Sequence, residues 1–137
     1  MTRTYPVLVR YAETDQMGVV HHAAYVPWLE QGRVDWLAAQ GVSYAELERS
    51  GVFFPVVGLE LAYRRALRFG DTVRVETRLA GLASRRLVFA YRVFREGDAE
   101  PAATGRSVHV PQDAAGRIRR LPEGLFERLK AAAERET

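Results

Sequence analysis

The 137 residues contain no cysteine, which excludes disulfides, thiolate nucleophiles and zinc–thiolate sites. Apolar residues make up 47% of the chain and charged ones 27%, too hydrophobic for disorder, yet no run is apolar enough for a signal peptide or a bilayer span, so one cytoplasmic domain over residues 1–137 is expected. The net charge of +3 is carried almost wholly by arginine, with Lys130 the single lysine, which suits bidentate contacts to phosphate or carboxylate and equally a compositional bias of the genome.

Tyr5, Val7, Val9 and Tyr11 alternate with Leu8 and Arg10 and predict a first strand with one buried face. From Ala23 to Gln40 the period changes: Tyr25, Trp28, Leu29, Gly32 and Trp36 form one stripe of a long helix, with Pro27 in its first turn and Gly41 at its end. Gly32 leaves room for a sheet to approach. Ser43, with Glu46 three residues on, predicts the cap of a short second helix that Ser50-Gly51 stops.

The period then becomes two. Val57, Leu59, Leu61 and Tyr63 predict a second strand; Val73, Val75 and Leu79 a third; Leu87, Phe89, Tyr91 and Val93 a fourth; Ala102 to Val110 a fifth. Gly70-Asp71, Gly81 and Gly97-Asp98 mark turns, and Pro122 to Glu136 reads as a polar terminal helix. One strand, a long helix and four more strands make an α+β pattern, an antiparallel sheet packed around one central helix.

The chemistry concentrates in Thr14-Asp15-Gln16-Met17-Gly18-Val19-Val20-His21-His22, which runs into Ala23-Ala24-Tyr25. A carboxylate and a glycine turn stand just ahead of a helix N-terminus, where unpaired N–H groups and the positive end of the dipole favour developing negative charge. A base beside an oxyanion site points to acyl chemistry. Asp15 also suits a simple turn-capping role.

The run Tyr11-x-x-Thr14-Asp15-x-x-Gly18-Val19-Val20-x-His22-x-x-Tyr25, followed by Gly41-Val42-Ser43-Tyr44, Gly51-x-Phe53-x-Pro55-Val56-Val57, Tyr63 and Ala66 to Val73, resembles the 4-hydroxybenzoyl-CoA thioesterase family of hotdog-fold acyl-CoA thioesterases. The likeness covers about residues 5 to 110 and is strongest to bacterial short-chain and Tol-Pal-associated members. It implies a hotdog fold of about five strands, dimers or tetramers joined through sheet edges, active sites at the dimer interface, and an acyl-CoA substrate with no cofactor. It also implies that Asp15 is the catalytic carboxylate, as nucleophile or general base, and that the His22 backbone N–H polarises the thioester carbonyl. Gly18, Val19 and Tyr25 match motif positions for substrate contact or catalysis. Ala24 departs from the family, where Asn or Ser is frequent.

His21 and His22 with Asp15 suggest a metal site, but adjacent histidines are expected to point apart and no third ligand falls at helical spacing, so no metal is expected. His109, on a strand, reads as a satisfied core histidine. Among the arginines, Arg85 and Arg86 are the expected pair for the phosphates of coenzyme A by family position, with Arg64 next. Aromatics are not interleaved with the basic residues, so nucleic-acid binding is not expected. Two rival readings stand: a hotdog dehydratase or hydratase using His22 and Glu30, and a non-catalytic acyl-CoA-binding protein. The second leaves a buried carboxylate beside a thioester without a purpose.

Overall fold

The computed structural model of the protein describes residues 1–135. Five strands form one antiparallel sheet: β1 (Thr2–Leu8), β2 (Val56–Tyr63), β3 (Thr72–Ala83), β4 (Arg86–Arg95) and β5 (Ala103–His109), in the order β1-β3-β4-β5-β2. Helix α1 (Tyr25–Ala39), entered through a 3₁₀ turn at His22–Ala24, crosses the inner face of the sheet. Helix α2 (Tyr44–Arg49) follows it, and α3 (Glu123–Glu134) closes the chain. The predicted extension of the last helix to Glu136 lies outside the described residues.

Apolar periodicity accounts for most of this. Tyr25, Trp28, Leu29, Gly32, Trp36 and Leu37 are buried on α1, against Val73, Val75, Leu79, Phe89 and Tyr91 of the sheet. Gly32 is needed at the crossing: a Cβ there would lie 2.5 Å from Thr77 Oγ1 and 3.0 Å from Val75 Cγ1. Gly41 has φ +74° and ends α1 in the left-handed conformation that glycine adopts without strain. Ser43 Oγ accepts the Glu46 N–H at 3.4 Å, as the capping pattern predicts.

Two expectations need correction. The first strand does not reach Tyr11. It stops at Leu8; Val9 is buried, and Tyr11 opens a 3₁₀ turn with its side chain 76% exposed. The reason is Glu13, whose carboxylate accepts the Arg10 N–H at 2.8 Å and so takes that donor for a turn rather than a strand ladder. The terminal helix is not simply polar either. Leu129 and Ala132 are fully buried, and the Ala132 carbonyl accepts from the N-terminal ammonium at 2.9 Å, so α3 covers one end of the core.

The two edges of the sheet differ. β1 presents Thr2, Arg3 and Thr4, while β2 leaves Val56, Val57, Leu59 and Tyr63 between 42% and 54% exposed.

Candidate active site

The loop between β1 and α1 folds back on itself through Asp15. Its N–H donates to Val19 O at 2.8 Å, and its carbonyl accepts the Gly18 N–H at 2.9 Å. Gly18, at φ +80°, makes that return possible. The Asp15 side chain is held by the same loop: Oδ1 accepts from Met17 N–H at 2.9 Å and from Val19 N–H at 3.4 Å. Oδ2 has no partner among the described residues. One carboxylate oxygen is therefore locked by the backbone and the other is free for chemistry.

Asp15, Val19, Val20, His22, Tyr25, Tyr63 and Arg64 line one open cleft of about 370 Å³, with Arg65 and Ala66 completing its rim. At the helix entry, His21 Nδ1 accepts the Ala23 N–H at 3.1 Å, and the Ala24 N–H donates to His21 O. The first N–H of the turn, that of His22, finds no acceptor among the described residues. It is an unpaired donor at a helix start, the type of group that stabilises a developing oxyanion. Tyr63 holds this residue in place by donating its hydroxyl proton to His22 O at 2.9 Å, and its ring meets Tyr25 edge-on at 5.1 Å. Burial, with Tyr63 adding to it, pushes the Tyr25 hydroxyl up to about 12, so at neutral pH it is a hydrogen-bond donor and not a base.

The histidine pair departs from expectation. Instead of pointing apart, the His21 and His22 rings stack with centroids 4.0 Å apart, because His21 folds over to cap the turn. Glu30, which the dehydratase reading requires, is exposed on α1 and is not among the residues lining the cleft with His22.

The arginines divide. Arg64 lies at the cleft and its guanidinium has no ion-pair partner among the described residues; Arg68 reaches the same loop, donating from Nη1 to Gly18 O at 3.4 Å. Arg85 and Arg86 are exposed at the β3–β4 turn, where Leu87 pairs with His109, whereas Tyr63 pairs with Ala103 at the other end of the strands. About 20 Å of strand separates the two ends, so one chain alone does not bring this pair to Asp15.

Three roles were not read from the sequence. Glu13, a spacer in the motif, is buried beneath the loop. Tyr63 secures His22, the first residue of the helix-start turn. The third is a buried polar chain: Arg33 Nη1 donates to Tyr91 Oη at 3.0 Å, Tyr91 and Ser107 hydroxyls meet at 2.6 Å, Ser107 Oγ lies 2.8 Å from His109 Nε2, and His109 Nδ1 lies 3.1 Å from Phe54 O. A guanidinium only donates and a carbonyl only accepts, so each hydroxyl donates toward His109, whose proton sits on Nδ1. Burial, and then the Arg33 charge, push His109 down to about 4, which keeps it neutral. The satisfied-histidine reading of His109 holds.

Known proteins resemble this chain over most of its length. The family model of the Thioesterase-like superfamily matches residues 9–129. YneP of Bacillus subtilis, named provisionally as an acyl-CoA thioesterase, is 36% identical over 77% of this chain and 78% of its own length. The acyl-CoA thioester hydrolase YbgC of Escherichia coli is 33% identical over 65% of this chain and 66% of its own. Among solved structures, the hypothetical protein TT1821 of Thermus thermophilus superposes with a TM-score of 0.88 at 49% identity, covering 93% of this chain and 97% of that one. The DHNA-CoA thioesterase of Staphylococcus aureus gives 0.90 at 28% identity, covering 98% and 91%. The cleft that joins Asp15 to an unpaired helix-start N–H thus sits in a chain that belongs to the thioesterase-like superfamily.

Proposed function

We propose that this thioesterase hydrolyses acyl-CoA to free acid and CoA at the Asp15 cleft. One observation carries the reading: a carboxylate oxygen and a helix-start N–H, both without partners among the described residues, belong to residues lining the same cleft. The N–H of His22 receives the thioester carbonyl oxygen as it gains charge. Asp15 Oδ2 then either attacks the carbonyl carbon, forming a mixed anhydride that water afterwards hydrolyses to free acid and the restored carboxylate, or takes a proton from the water that attacks it directly; in both routes the C–S bond breaks, and the CoA thiolate leaves and is protonated. Tyr25 offers a hydroxyl donor beside the acyl group, and Gly18 and Val19 shape the wall.

Arg64 and Arg65, with Arg68 beyond them, are the arginines one chain places nearest to receive CoA phosphates. Arg85 and Arg86 serve the same role only if a partner subunit brings them across. The apolar edge of β2 supports such an assembly, since an exposed apolar edge strand is one that natural proteins pair or cover. Pairing β2 with its copy in a homodimer, itself able to form a tetramer, covers Val57, Leu59 and Tyr63 and places a second chain against the cleft. The hydrolysis requires no cofactor, and a cytoplasmic acyl-CoA pool is the proposed substrate source; no helix among the described residues is long and apolar enough to cross a membrane.

Incubating the pure protein with a series of acyl-CoAs and a thiol reagent tests this. Release of free CoA is expected, with a chain-length profile that identifies the acyl group. A dehydratase or a binding protein releases none.

A further inference from the structure

Glu13 precedes Asp15 by two residues and has no part in the chemistry above. It is 8% exposed, and both carboxylate oxygens are engaged: Oε1 accepts the Arg10 N–H at 2.8 Å, and Oε2 accepts Trp28 Nε1–H at 2.8 Å and a longer contact from Arg10 Nη2 at 3.4 Å. Its backbone carbonyl accepts the His21 N–H at 2.8 Å. Burial alone pushes the carboxyl up, but the hydrogen bonds from Arg10 and Trp28 outweigh it and hold the group below the usual glutamate range, so it is charged at neutral pH.

What these bonds join matters more than their number. Trp28 stands in the first turn of α1, and His21 immediately precedes the unpaired N–H of His22. Glu13 leads through Thr14 into the Asp15 turn. One residue therefore spans the two halves of the site, the carboxylate loop and the helix start.

We infer that Glu13 is a positioning residue for the thioesterase reaction, its buried carboxylate clamping the Asp15 loop to the start of α1 so that the Asp15 carboxylate and the His22 N–H face one carbonyl group. The inference rests on the proposed chemistry of Asp15 and His22. A neutral glutamine cannot replace the clamp, because its amide NH₂ would confront either the Arg10 N–H or the Trp28 Nε1–H, donor against donor. A displacement of the loop by a fraction of an ångström leaves the cleft able to bind substrate and spoils the angle of attack.

The test measures kcat, the Kd of a non-hydrolysable acyl-CoA thioether and the melting temperature for Glu13→Gln, Trp28→Phe and the double variant. Glu13→Gln is expected to lower kcat by about tenfold to a hundredfold while the thioether Kd changes less than about twofold. Trp28→Phe, which removes one donor and keeps the ring, should lower kcat by less. Because both disturb the Glu13–Trp28 bond, and the phenylalanine leaves no indole N–H for the glutamine amide to confront, the double variant should lose no more than the worse single one. An unchanged kcat, a Kd that rises as far as kcat falls, or losses that multiply in the double variant would each overturn the positioning role. Should Glu13→Gln fail to fold, the kcat and Kd of Trp28→Phe decide alone. A wild-type protein that releases no CoA from any acyl-CoA overturns the proposed function instead, which separates the two failures.

Discussion

The two ends of the sheet treat polar groups in opposite ways. At the Asp15 end, a carboxylate oxygen, a backbone N–H and the Tyr25 hydroxyl have no partner among the described residues and surround an open cleft. Toward the other end, Arg33, Tyr91, Ser107 and His109 are buried and bonded in series, down to a backbone carbonyl. Buried polar groups in native proteins are nearly always paired, so a paired chain records architecture, whereas groups turned toward an open cleft are the ones a substrate can reach. The lesson is that number of polar residues says little; their unmet valence locates the function.

The strongest way to break this contrast is Asp15→Asn. The amide oxygen can still accept from Met17 and Val19, so the loop and the melting temperature should survive, while kcat falls by at least about a hundredfold through loss of the base or nucleophile. Steady-state CoA release beside thermal melting checks both halves.

Ser107→Ala should do the reverse. It strands Tyr91 Oη and His109 Nε2 in the core and is expected to cost about 1–3 kcal/mol of stability by denaturant titration, with turnover per folded molecule unchanged.

Acid should act at the same end. The unfolded chain protonates His109 near 6.5, whereas the folded protein keeps it neutral down to about 4, so the unfolded state binds more protons in that window. The His109 contribution to stability is therefore constant above pH 6.5 and falls as pH drops toward 4, by up to about 3 kcal/mol. Glu13 adds a second loss only at lower pH, as its depressed carboxyl is protonated. In His109→Gln the slope between pH 6.5 and about 5 should disappear; a slope that persists would mean another group titrates there.

The smallest effect sharpens the rule. Thr77 Oγ1 is buried beneath Gly32 with no hydrogen-bond partner among the described residues, an exception within the core contact of α1 and β3. Thr77→Val, of the same shape, should be neutral or stabilising by up to about 1 kcal/mol in chemical denaturation, because it removes an unpaired hydroxyl.

Much of this was legible in the sequence for one reason: periodicity reports which face of an element is buried. The stripe from Tyr25 to Trp36, the close approach at Gly32, the alternation of β3 and the Asp15 turn all follow from local spacing. What escaped depends on meetings between distant residues. Arg33 looks like a solvated helix charge until Tyr44 and Tyr91 are brought to it by the fold. Glu13 reads as a spacer because its partner Trp28 reads as plain core, and the indole N–H that links them carries no periodic signal. Arg85 and Arg86 pair well as charges, but a list of residues does not say at which end of a sheet they lie.

The most direct test of the account compares Asp15→Asn with Ser107→Ala in one experiment, measuring CoA release per folded molecule against unfolding free energy. Asp15→Asn should lose activity and keep its stability, and Ser107→Ala should lose stability and keep its activity. If both variants lose both properties together, the division between an unpaired catalytic end and a paired structural end is wrong.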